Sequence, residues 1–75
     1  MHNQELLVDV LVGEYAYLWF TKNPQGDSFR VGADYKDEPT YTGAFAAFEE
    51  AVEAFRELVD FEVQRAVQAK RAELT

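Results

Sequence analysis

Apolar and polar positions alternate along the first forty-five residues and then change to a helical period. The stretch from Leu6 to Thr21 is rich in Val, Leu and aromatic residues, and its rows of alternating positions predict strand structure with Gly13 as a bulge or bend. The rows of the first half are Leu6, Val8, Val10, Val12 and Leu7, Asp9, Leu11, Gly13; those of the second half are Tyr15, Tyr17, Trp19 and Ala16, Leu18, Phe20. A helix over residues 3–11 is the alternative, because Leu6, Leu7, Val10 and Leu11 also follow a helical spacing and Asn3 is a possible cap. The β-branched residues favour the strand.

Two turns divide the rest of this region. Residues 22–27 contain Pro24 and Gly26, and they predict a turn that joins the first strand to a second strand at 28–35. Residues 36–39 predict the second turn, and residues 40–45 read as a short third strand. The alternative for 40–45 is the start of the following helix, with Thr42 as its cap.

Residues 46–73 predict one long amphipathic helix, since they contain no Gly or Pro and are dominated by strong helix formers. Its apolar stripe lies at spacings of three and four. The stripe consists of Phe48, Val52, Phe55, Val59 and Val63, and it is widened by Ala51, Ala54, Leu58 and Phe61. Such a helix is about 40 Å long, which exceeds the diameter of a compact domain of this size. We expect residues 64–75 to overhang the sheet.

The predicted fold class is therefore α+β: an antiparallel three-stranded β-meander with a long first hairpin, packed against one long C-terminal helix, in the order β-β-β-α. It forms a single domain over residues 1–75, with a flexible N-terminus at 1–5, the meander at 6–45 and the helix at 46–73.

Charge and composition restrict the function. The net charge of −7 opposes binding to nucleic acid or an anionic membrane, although residues 63–75 alone carry +2. With no apolar run of membrane-spanning length, the chain is expected to be cytoplasmic. It lacks Cys and has one His, His2, so neither disulfides nor a zinc site is expected to support so small a core. By elimination, oligomerisation is the expected support.

The sequence predicts no enzyme, cofactor or metal site. Neither a Ser-His-Asp nor a Cys-His set is possible within the fold, and no phosphate-binding glycine motif occurs. The carboxylate pairs Glu49/Glu53 and Glu53/Glu57 fit an exposed, solvated helix face. The acidic turn at 34–38 does not have the spacing of a calcium loop.

Both rows of the second half of the predicted first strand are apolar, whereas one helix covers one face of a sheet. The second apolar face and the helix overhang therefore predict a protein interface. We assign to it Tyr15, Tyr17, Trp19, Val63 and Val67. The function predicted first is that of a non-enzymatic small acidic protein-interaction module, an obligate homodimer.

The alternative function uses the acidic helix face. Its partner-binding residues are Glu49, Glu53, Glu57 and Asp60, with Glu50 and Glu62 in the same strip. Such a strip could occupy a basic groove of a nucleic-acid-binding protein, as inhibitors encoded by phages or mobile elements do by mimicking nucleic acid. If residues 3–11 were helical, the element order would match that of double-stranded RNA-binding domains. The acidic start of the last helix contradicts RNA binding.

Overall fold

The computed structural model describes residues 4–75, and these residues form four strands and one helix. The strands are β1 (Glu5–Val12), β2 (Ala16–Lys22), β3 (Phe29–Tyr35) and β4 (Tyr41–Phe45), and the helix α1 is Phe48–Leu74. The strands pair antiparallel in the order β1-β2-β3-β4, with α1 packed on one face. The α+β class and the meander followed by a helix are confirmed, but the prediction of three strands is wrong.

The fourth strand arises because the chain reverses direction at Gly13 instead of bending there. Gly13 has a φ of 61°, and Val12 pairs with Ala16 across the turn. Glycine adopts this left-handed conformation without the steric cost that a Cβ would add. The helical alternative for residues 3–11 is wrong where the structure tests it, since β1 begins at Glu5. Residues 1–3, with the proposed cap Asn3 and most of the predicted flexible N-terminus, lie outside the described residues.

A bulge in β1 changes which face its first residues occupy. Leu6 pairs with Thr21 and Val8 pairs with Phe20, so Leu7 is left without a partner between them. Because side chains alternate along a strand, the inserted residue puts Leu6 on the face opposite to Val8. The predicted row from Leu6 to Val12 is therefore broken at its first member.

The core lies between α1 and the helix-side face of β2 and β3. Its buried apolar residues are Val12, Ala16, Leu18, Phe20, Val31, Ala33, Ala51 and Phe55. Phe20 contacts Phe55, Phe29 and Phe48, with ring centroids 5.7–6.3 Å apart. The row Ala16, Leu18, Phe20 therefore meets the helix.

The helix uses a narrower stripe than the sequence predicts. Ala51 and Phe55 are buried, whereas Val63 is 43% exposed and Phe61 is 56% exposed. The helix begins at Phe48 after Ala47, which makes no side-chain cap bond, and Thr42 lies in β4. The third predicted strand is thus a strand, and the reading of Thr42 as a helix cap is wrong.

The C-terminal end of the helix extends beyond the sheet. The described residues measure 49 × 26 × 17 Å, and α1 has 27 residues, which correspond to about 40 Å. Ala66 still packs against the core, so the overhang begins later than the predicted residue 64. Within residues 4–75, no helix combines enough length and hydropathy to cross a membrane.

Candidate interaction surface

The strand β1 is an edge strand of unusual exposure. It pairs with β2 on one side, and among the described residues no strand pairs with its other side. Six of its eight residues are Leu or Val. An edge strand leaves a row of backbone N–H and C=O groups available to another strand. The outer edge of β1 is therefore a template for further strand pairing.

Apolar side chains are exposed on both faces of β1. Leu11 is 75% exposed and Leu6 is 51% exposed on the face away from the helix, where they lie opposite Tyr17 and Thr21 of β2. Val8, opposite Phe20, is 44% exposed on the helix side. These three residues and the bulged Leu7 form what we call the β1 surface.

The other edge strand of the described sheet, β4, is shorter and less apolar than β1. β4 has five residues and follows Pro39, and its centre carries the small residues Gly43 and Ala44. Short strands and nearby proline are the features by which natural edge strands avoid pairing with another chain. β1 has a bulge and the charge of Asp9, which also restrict pairing, but its segment 8–12 is as long as the whole of β4 and is more apolar. β1 is therefore the better candidate of the two edges.

The helix contributes an apolar flank beside β1. Val63 is 43% exposed and Val67, one turn later, is 46% exposed. A cavity of about 450 Å³ separates this flank from β1; it is lined by Val10, Phe55, Arg56, Val59, Asp60 and Val63. Val63 thus lies on the β1 side of the helix, and Val67, four residues later, shares its helix face.

Tyr17 and Trp19 lie on the open face of the sheet, away from the helix. The Tyr17 hydroxyl donates a hydrogen bond to Asp9 Oδ2 at 2.9 Å, and this bond is the main cause of a raised pKa of Tyr17. The Trp19 ring lies directly over Gly32, where an added Cβ would collide with the ring carbon Cζ2. Among the described residues, the most exposed large apolar side chains of the open face are Leu6 and Leu11 of β1.

Tyr15 does not join the other predicted interface residues. It lies in the turn between β1 and β2, and its hydroxyl donates to the backbone carbonyl of Glu62 at 3.3 Å. The structure therefore divides the predicted site into three places: Tyr15 under the helix, Tyr17 and Trp19 on the open face, and Val63 and Val67 on the helix flank.

Glu62 is fully buried, so its predicted place in the exposed acidic strip is wrong. Phe55, Val59 and Glu62 follow one another at spacings of four and three, which puts position 62 on the sheet side of the helix. The Tyr35 hydroxyl donates to Glu62 Oε2 at 2.5 Å. The other oxygen, Oε1, lies 3.2 Å from Arg65 Nε without an aligned hydrogen bond, so these two groups form an ion pair only.

Arg65 connects this buried carboxylate to the surface. Its Nη2 donates to Glu38 Oε2 at 3.2 Å, and its guanidinium lies 5.6–5.7 Å from the ring centroids of Tyr15, Tyr35 and Phe61. These contacts surround a cavity of about 550 Å³ that is lined in part by Gln64 and Gln68. The cluster fastens the second half of the helix to the end of the sheet, an arrangement that the sequence pattern did not predict.

The electrostatics of the cluster favour a protonated Tyr35. Burial, followed by the hydrogen bond to Glu62 and the charge of that carboxylate, raises the pKa of Tyr35 to about 12. Burial alone would lower the pKa of Arg65, but the charges of Glu62 and Glu38 outweigh it and the net pKa is raised. Both groups therefore keep their ordinary protonation state at neutral pH.

The acidic helix face remains exposed. Glu49, Glu53, Glu57 and Asp60 are all exposed, and within residues 4–75 none of them forms an ion pair. Arg56 lies among them along a shallow groove. In the same described part of the chain, no group of three or more His, Cys, Asp or Glu side chains is arranged to hold a metal ion.

Leu6, Val8 and Leu11 were not predicted as surface residues. Their exposure could have been suspected from the sequence, because both rows of alternating positions in residues 6–12 are largely apolar and one helix covers only one of them. The pattern did not show that β1 lies at the edge of the sheet.

Comparison of the chain with protein-family models, with curated proteins and with solved structures finds no significant match.

Proposed function

We propose that this chain is a non-enzymatic protein-interaction module that forms a homodimer through the β1 surface. The observation that carries the proposal is the exposure of Leu6, Val8 and Leu11 on both faces of β1, which is an edge strand among the described residues. Contiguous exposed apolar surface of this kind is typical of a protein–protein interface. Val63 and Val67 are a second exposed apolar patch, on the helix, and they provide the alternative contact for a second copy.

The size of the core supports a partner of the same chain. The described residues include eight buried apolar side chains, and three of them are alanines. A domain of this length buries a smaller share of its surface than a larger one, so association contributes substantially to its stability. A standard interface of about 800 Å² per partner would cover roughly one seventh of the 5455 Å² surface.

Sedimentation equilibrium tests the proposal between about 1 and 100 μM protein. We expect a dimer whose thermal midpoint rises with protein concentration, because association stabilises the folded state by mass action. A folded monomer over the whole range, with a midpoint independent of concentration, would refute the homodimer.

The acidic helix face supports a second candidate function, binding to a basic surface of a nucleic-acid-binding protein. Glu49, Glu53, Glu57 and Asp60 are free of ion pairs within the described residues, although Arg56 interrupts their strip. The test is a pull-down in which a captured nucleic-acid-binding protein is displaced by duplex DNA. Capture should be lost when Glu49, Glu53 and Glu57 are replaced by Lys, and unchanged capture would remove this candidate.

A further inference from the structure

We propose that two copies of the chain pair antiparallel through their β1 strands and form one continuous eight-stranded sheet. This inference rests on the proposed homodimer and specifies its geometry. An antiparallel pair of identical strands is self-complementary, since each strand offers the same row of N–H and C=O groups to its two-fold mate. The partner inferred for β1 is therefore the β1 strand of a second copy of the chain.

The apolar side chains of β1 gain neighbours in this arrangement. Leu11 is 75% exposed because it has a cross-strand neighbour, Tyr17, on one side only. A second strand about 4.8 Å away would cover its other side, and the same holds for Val8 on the helix side. Strand addition thus gives a second lateral neighbour to side chains on both faces of β1, which a partner packed on one face would not.

Charge and strand length select the register of the pair. A two-fold axis through Asp9 would place the two Asp9 carboxylates directly opposite each other, which is destabilising. An axis through Leu11 would pair only residues 10–12 within β1. An axis through Val10 places Asp9 opposite Leu11 of the second copy and Val8 opposite Val12, so it pairs the whole regular segment that follows the bulge at Leu7. Val10 is therefore the residue expected on the axis.

The alternative, in which the helix flanks of two copies pack together, is geometrically distinct. The helix lies over the middle of its sheet, where it contacts all four strands. In a continuous sheet the two helices would be four strands, or about 19 Å, apart. Packed helices are about 8–10 Å apart. Strand pairing consequently leaves Val63 and Val67 outside the contact, and helix pairing would bury them.

Single-cysteine variants test the arrangement, because the chain has no cysteine of its own. On mild oxidation Val10→Cys should form a covalent dimer, since the Cα atoms of directly opposed residues are about 4.5–5.5 Å apart, within the Cα range of a disulfide. A mixture of Asp9→Cys and Leu11→Cys should give mainly the mixed dimer. Thr42→Cys, on the opposite edge strand, is the matched control and should remain monomeric on a denaturing gel.

Acidic substitutions give a second measurement. Leu11→Glu should raise the dimer dissociation constant at least about tenfold, because position 11 lies opposite Asp9 of the second copy and like charges repel. Leu74→Glu, with a similarly exposed parent residue and the same charge change, should leave the dissociation constant unchanged. Dissociation by Val67→Lys, with cross-links at Val67→Cys instead of Val10→Cys, would overturn strand pairing while the homodimer stands. A wild-type chain that is monomeric at every concentration would overturn both.

Discussion

Replacement of Tyr35 by Phe tests the buried carboxylate at the end of the sheet. The change removes the hydroxyl that donates to Glu62 Oε2 at 2.5 Å and leaves the ring in place. A hydrogen bond to a charged group contributes about 1.5–3 kcal/mol. We do not expect the roughly 3–5 kcal/mol typical of a broken buried ion pair, because Arg65 stays 3.2 Å from Oε1. For a domain of this size the thermal midpoint should fall by roughly 6–24 °C.

Chemical denaturation at one fixed protein concentration measures the effect, since dimerisation makes stability depend on concentration. A double-mutant cycle with Glu62→Leu isolates the pair. In the Glu62→Leu background, Tyr35→Phe should change the free energy of unfolding by less than about 0.5 kcal/mol, because no carboxylate remains to be satisfied. Tyr41→Phe is the control: Tyr41 is 48% exposed, and its hydroxyl makes no hydrogen bond within the described residues.

The pH dependence supplies a second test of the same bond. A Tyr35 pKa raised from 10.0 to about 12 means that the folded state favours the protonated phenol. This stabilisation is complete below about pH 10 and is lost as the pH rises through about 12. The wild type should therefore lose more stability over this interval than Tyr35→Phe does. Equal losses, or an equal cost of Tyr35→Phe with and without Glu62, would refute the assigned role of the carboxylate.

Three further predictions concern the core, the open face and the helix end. Phe55→Ala should lower the free energy of unfolding by about 3–5 kcal/mol, because Phe55 is 7% exposed and contacts Phe20; near-wild-type stability would show that the core is assigned wrongly. Gly32→Ala should displace the ring of Trp19, the only tryptophan, and shift its fluorescence to longer wavelength, whereas an unchanged spectrum would contradict the described contact. Leu74→Ala should change stability by less than about 0.5 kcal/mol, since Leu74 is 79% exposed, and a larger loss in thermal denaturation would mean that the helix end is covered.

Local patterns predicted most elements of the fold. The turn at Pro24 and Gly26, the alternation in β3 and the long helix were all readable from the sequence, because each depends on neighbouring residues. The alternation of apolar residues did not predict the turn at Gly13, because a glycine between two apolar segments is compatible with both a bend and a complete reversal of the chain. The pairing of Val12 with Ala16, which forms only when the sheet does, distinguishes the two.

The candidate site divides in the same way. Val63 and Val67 were predicted as interface residues and are exposed beside β1, and the acidic face at Glu49, Glu53 and Glu57 is exposed as its spacing indicates. Glu62 was placed in that acidic face because its charge suggested solvent exposure. Its burial depends on Tyr35, which lies on a different element, and on Arg65, and hydrogen-bonded or oppositely charged partners can retain a charge inside a protein.

The α+β class, the length of the helix relative to the sheet and the abundance of apolar residues between 6 and 20 can be inferred from periodicity and composition alone. The edge position of β1, the bulge that places Leu6 and Val8 on opposite faces, and the burial of Glu62 are known only from the folded structure. The physical reason is that strand order and burial depend on contacts between residues far apart in the chain. A periodic pattern indicates which residues share a face of a strand or helix, but it does not indicate which other element, or solvent, that face contacts.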